Sequence, residues 1–112
     1  MSNAKEFYEN VGNKMAKMNK AMPVMSAGFG GLFAKVMTDG AITLLEKELI
    51  ALAIGVAVHC PSCIMMHVKK CFDAGATKEQ ILEAASVAVV MGGGPAYTHV
   101  MEVMDAIEAL GK

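Results

Sequence analysis

No stretch of this chain reaches the roughly 18 apolar residues that a membrane span requires. The longest apolar run, Leu49–Val58, has ten. The N-terminus reads MSNAKEFYEN, which puts Lys5, Glu6 and Glu9 where a signal peptide needs apolar residues. A cytoplasmic protein with no membrane partner is expected. Basic excess is missing too: 10 Lys+Arg face 11 Asp+Glu, for a net charge of −1. Nothing there neutralises a phosphate backbone, so nucleic acid is excluded as an expected partner. Cysteine is scarce, with three residues, which excludes the disulfide framework of a small secreted domain. Strand patterning is absent: β-branched residues are scattered and no stretch alternates apolar and polar for long. No linker, repeat or low-complexity segment divides the chain, so one domain over 1–112 is expected.

What the chain does have is apolar surface. Hydrophobic residues make up 54% of its 112 positions, which excludes intrinsic disorder. A chain this short cannot bury so much alone, and a homo-oligomer is expected. The 11 methionines read as filler for irregular gaps in a core.

Helix signals recur along the whole length. Phe7, Val11, Met15 and Met18 stripe one face of a helix over Lys5–Lys20, opposite Lys14, Lys17 and Lys20. Pro23 permits a second helix to about Thr38, with Asp39-Gly40 expected to close it in the left-handed conformation. Thr43 and Glu46 fit a capping box. The helix they open runs to about Val58 and is apolar on every side from Leu49, which predicts a central position. Pro61 suits the first position of the next helix, with Cys60 as its N-cap and a stop at Gly75. Thr77 and Gln80 form a second capping box, and their helix is expected to end at Gly92-Gly93-Gly94. Pro95 then starts a last helix to about Leu110. These signals predict an all-α bundle of about six helices. Gly28, Gly30 and Gly31 follow no strand and are read as helix packing rather than a dinucleotide loop.

The chemistry concentrates in HCPSCIMMHVKKC. Cys60, Cys63 and His67 fall within about 60° of one another on a helical wheel, and their i, i+3 and i, i+4 spacings let neighbours touch. A thiol in the first turn of a helix feels exposed N–H groups and the positive end of the dipole, which favour the thiolate. His67 can take or return a proton, and a neighbouring thiol can close a disulfide once the first sulfur is oxidised. By the dipole argument alone Cys60, at the cap, is the more reactive thiol. Cys71 lies on the same stripe, so zinc is the competing reading. Cys60 and Cys71 stand about 16 Å apart along a helix, however, and zinc ligands must meet at one ion within ~2.3 Å. Neither metal nor cofactor is expected, and Cys71 is read as a core residue. If the two central helices pair antiparallel, Glu48 comes opposite residues 67–71, where its carboxylate would fix the tautomer of His67. Glu46 is taken up by its capping box. His59 reads as a solvated turn residue, and Tyr97 and His99 have no partner visible from sequence.

The pattern Glu48-x11-Cys60-x2-Cys63-x3-His67, within KELIALAIGVAVHCPSCIMMH and followed by DAGATKEQILEAASVAVVMGGGPA, resembles the signature of alkylhydroperoxidase D-like proteins of the carboxymuconolactone decarboxylase superfamily. The resemblance spans about Met22 to Leu110. It implies an all-α fold assembling as a trimer or hexamer, and a thiol peroxidase acting on organic or hydrogen peroxide. Cys63 would attack the peroxide and Cys60 would resolve it as an intramolecular disulfide. Glu48 and His67 would relay protons, and a dithiol such as a protein-bound lipoyl group would be the reductant. Ser62 stands where some peroxidase members carry a histidine. The alternatives are a decarboxylase-like lyase, whose branch lacks the cysteine pair, and a non-enzymatic redox-sensing disulfide protein.

Overall fold

The computed structural model describes residues 3–112, so the first two residues of the expected 1–112 domain lie outside it. Five helices account for the described chain: α1 (Ala4–Ala21), α2 (Pro23–Val36), α3 (Leu44–Ala57), α4 (Pro61–Asp73) and α5 (Lys78–Ala109). No strand occurs among the described residues.

The local signals explain most of the helix ends. At α3 the Glu46 N–H donates to Thr43 Oγ1 at 3.1 Å and the Glu46 carboxylate accepts the Thr43 N–H at 2.8 Å, which closes the capping box. Thr77 and Gln80 repeat it at α5, at 3.1 and 2.9 Å. Pro61 opens α4 behind Cys60, and Gly75 at φ 95° ends it, with the Gly75 and Ala76 N–H groups returning to the carbonyls of Phe72 and Cys71.

The break expected at Gly92-Gly93-Gly94 lies inside α5, where two helical segments meet without a loop, so the expected sixth helix follows directly on the fifth. Only Gly93 leaves the helical backbone, at φ 69° and ψ −153°. That conformation is open to glycine alone, so one residue absorbs the change of direction and the helix resumes through Pro95. Gly40 does not close α2. The helix stops at Val36, and the Asp39 carboxylate instead accepts the Leu44 N–H at 2.7 Å, helping to start α3.

Helices α3, α4 and α5 pack on one another around Leu52, Val56, Ile64, Val68, Ile81 and Val103, all fully buried. α1 lies across α4 and α5, anchored where the Tyr8 hydroxyl donates to the Met65 carbonyl at 2.5 Å. The central position expected for α3 holds on one side only, because Ile50, Ile54 and Val58 are exposed. α2 runs along α1, touches α4 only through side chains such as Phe33, and buries none of its residues. Its Gly28, Gly30 and Gly31 face open space rather than a packed helix. The methionines correct the core-filler reading as well. Met65 is buried, whereas Met15, Met18, Met22, Met25, Met91, Met101 and Met104 are exposed. Helical periodicity says which residues share a face, not whether that face meets another element of the same chain.

Candidate active site

The turn from α3 to α4 builds the site. After the C-cap Val58, the His59 N–H returns to the Val56 carbonyl at 3.2 Å and the Cys60 N–H to the Gly55 carbonyl at 3.0 Å. This is the double closure in which glycine commonly takes the left-handed position. His59 occupies it here, at φ 58°, a conformation that costs a residue with a Cβ roughly 1–2 kcal/mol.

Cys60 then caps α4. Its sulfur accepts the Cys63 N–H at 3.3 Å and is bridged to the Cys63 sulfur, with the two Cα atoms 5.3 Å apart. Ser62 Oγ lies 3.6 Å from the Cys60 sulfur. Cys63 is half-buried against α3 at a point where α3 has no side chain. A Cβ on Gly55 would stand 3.2 Å from Cys63 Cβ. Gly55 therefore touches both ends of the pair, through its carbonyl and through its missing side chain.

One turn beyond Cys63, His67 Nδ1 lies 2.7 Å from Glu48 Oε1. Glu48 is 3% exposed, and no other polar or charged residue is buried among the described residues. A carboxylate can only accept, so the shared hydrogen belongs to Nδ1 and Nε2 is left free for a substrate or thiol. Phe33 of α2 stacks on the His67 ring at 6.0 Å, and the Lys70 ammonium sits 5.1 Å over Phe33. A cavity of about 230 Å³ between Phe33, Met37, Leu44 and Asp73 reaches Glu48.

Cys71 is fully buried, and its thiol is pushed up to about 12 by burial and by the nearby Glu48 charge. A thiol held that firmly in its neutral form is a poor nucleophile and a poor metal ligand at neutral pH. Among the described residues no three His, Cys, Asp or Glu side chains gather as a metal ion would require.

The antiparallel pairing of α3 and α4 thus sets Glu48 on His67, one turn of α4 past the bridged Cys60 and Cys63. Sequence reasoning passed over Gly55, Phe33 and the partners of two histidines. His59 is not a free turn residue: its ring stacks on His99 at 5.2 Å and within 5° of parallel, while His99 Nδ1 is hydrogen-bonded to Glu102 Oε1. A residue other than glycine or asparagine directly after a helix, just before a capping cysteine, was the available signal. Tyr97 remains exposed.

Comparison with known proteins agrees with this architecture. A crystal structure of a carboxymuconolactone decarboxylase family protein from Legionella pneumophila superposes with a TM-score of 0.90 at 37% identity, covering 97% of each chain. Protein 4 in the cox locus of Paracoccus denitrificans is 35% identical over 96 residues, 86% of each chain. The alkyl hydroperoxide reductase AhpD of Corynebacterium kroppenstedtii is 33% identical over 63 residues, which covers 56% of this chain and 36% of that protein. The carboxymuconolactone decarboxylase family model matches residues 23–106, and the chain belongs to that family.

Proposed function

We propose that the chain is a thiol peroxidase that reduces organic or hydrogen peroxides through Cys60 and Cys63. The observation that carries this reading is the Glu48–His67 hydrogen bond one turn past the bridged pair. The Cys63 thiolate attacks one peroxide oxygen, the O–O bond breaks, and the alcohol or water leaves with a proton supplied through His67. The Cys60 thiol then attacks the Cys63 sulfenic acid: the S–S bond forms, the S–O bond breaks, and water carries away the oxygen and the Cys60 proton. Two electrons from a dithiol, such as a protein-bound lipoyl group, return the pair to thiols. A reducing cytoplasm suits that supply. The buried carboxylate keeps His67 in one tautomer through both half-reactions, and the partial match to an alkyl hydroperoxide reductase supports the same chemistry.

Self-association belongs to the same reading. Val90 and Met91 are each 82% exposed, and Val24, Phe29 and Leu32 leave α2 with an uncovered apolar face. Patches of that kind mark interfaces, and further copies of the chain, in a trimer or hexamer, are the proposed cover. Light scattering that gave the 11.8 kDa monomer at micromolar concentration would remove this part of the proposal.

Turnover of cumene hydroperoxide with a regenerating dithiol tests the activity. Turnover is expected in the natural chain, its loss in Cys63→Ser, and a slower rate in Glu48→Gln. Lactone conversion that survives Cys63→Ser would make the protein a decarboxylase-like lyase. Stoichiometric oxidation of the pair without turnover would make it a redox-sensing disulfide protein.

A further inference from the structure

A second imidazole–carboxylate pair lies against the residue that precedes the cysteines. Its members are His99 and Glu102 of α5, and the ring of His59 lies flat on His99. Two features of the fold exist to make that meeting possible. At Gly92 a side chain would come 2.8 Å from Ala96 Cβ of the same helix, so only glycine lets α5 turn this tightly where it passes the end of α3, whose Ala57 Cα stands at an ordinary 3.7 Å. At Gly93 the helix bends, and the segment beyond it carries His99 to the turn between α3 and α4. On the other partner, the backbone accepts a strained conformation at His59 where glycine would be free of it. Strain that a neighbouring structure maintains points to a use for the side chain.

That side chain precedes the cap. While the disulfide is closed, the bridge itself holds Cys60. Once the pair is reduced, what remains is the Cys60 N–H on the Gly55 carbonyl, the contact of its sulfur with the Cys63 N–H, and whatever holds the preceding residue. We propose that His59, pinned by the Glu102-bound His99, is a positioning residue for Cys60. The stack keeps the reduced thiol at the α4 cap, where it meets an oxidised Cys63. The rate of an intramolecular step follows how closely the reacting groups are held in attack geometry. The same order in the dithiol favours the disulfide at equilibrium, because less freedom is lost when the bond closes. The inference rests on the reading that the pair cycles, but its central measurement does not need peroxide.

Three variants test it, with Tm and the reduction potential of the pair read for each, the latter by equilibrating the whole chain in thiol–disulfide buffers. His59→Gly relieves the backbone and removes the ring. It is expected to keep or raise Tm while lowering the effective concentration of the pair about tenfold, which moves the potential up by about 30 mV. His99→Ala keeps the strain and removes the support, and is expected to lower Tm and shift the potential the same way. His59→Phe restores a stacking ring and is expected to bring the potential back toward the natural value. Potentials unchanged in both His59→Gly and His99→Ala would overturn the proposal and reduce the stack to a fastening of the turn. So would a His59→Phe potential no nearer the natural one than that of His59→Gly. If cumene hydroperoxide is not turned over yet the potentials shift as expected, the peroxidase reading fails and the positioning role stands. Where turnover exists, a sulfenate probe should trap Cys63 for about tenfold longer in His59→Gly.

Discussion

Gly55 and Cys63 meet across the contact between α3 and α4 so closely that a Cβ on residue 55 would lie 3.2 Å from Cys63 Cβ. The same glycine accepts the Cys60 N–H. One residue of the central helix therefore seats both cysteines, and the disulfide inherits its position from the core.

Enlarging that seat should disturb the pair before it disturbs the fold. Gly55→Ala gains helix propensity of about 1 kcal/mol against a contact that must widen by a few tenths of an ångström. Its Tm should stay near the natural value while the rate of reduction by dithiothreitol changes. Gly55→Val overpacks the contact and should cost about 1–3 kcal/mol in urea unfolding. A valine variant with natural stability and reduction rate would show that the seat has no consequence.

Glu46 should give the fold an acid-side dependence. Hydrogen bonds from the Thr43 backbone and hydroxyl hold its carboxyl below the ordinary 4.5. A group depressed in the folded state stabilises above its unfolded value, and that contribution is lost as pH falls through the lower folded one. The Tm of the natural chain should therefore fall more steeply below about pH 4.5 than that of Glu46→Gln. Parallel curves for the two would refute the assignment.

Cys71 should act at the opposite end of the scale. Its thiol ionises near 9.0 when exposed and near 12 when buried. The neutral form is the one the core accepts, so the contribution is full below pH 9 and is lost as pH rises toward 12. Cys71→Ala should flatten this alkaline decline at the cost of a small cavity. In the reduced natural chain, iodoacetamide should label Cys71 only after denaturant is added, as intact-mass measurement would reveal.

Gly93 carries the bend of α5 in a backbone region that residues with a Cβ avoid. Gly93→Ala should destabilise by about 1–3 kcal/mol, measured by urea unfolding. The same bend delivers His99, so its loss should also move the potential of the cysteine pair. Unchanged stability would mean that α5 can run straight without penalty.

How much of this was legible in the residues depends on the range of each interaction. The capping boxes at Thr43 and Thr77, the start at Pro61 and the stop at Gly75 are written within a few positions, and helix geometry alone aligns Cys60, Cys63 and His67 on one stripe. Glu48 could be placed opposite His67 because two helices joined by a short turn must run back along each other. The rest needed the third dimension. Gly92-Gly93-Gly94 marked the break in the helical backbone, but not that the two segments would meet there without a loop, since that depends on what α5 packs against. His59 and His99 are 40 residues apart, and Phe33 reaches His67 from a helix that buries nothing. The exposed methionines looked like core because hydrophobicity fixes only a preference for cover. Which face is covered is decided by the order in which the helices pack, and that order rests on contacts between residues far apart in the chain.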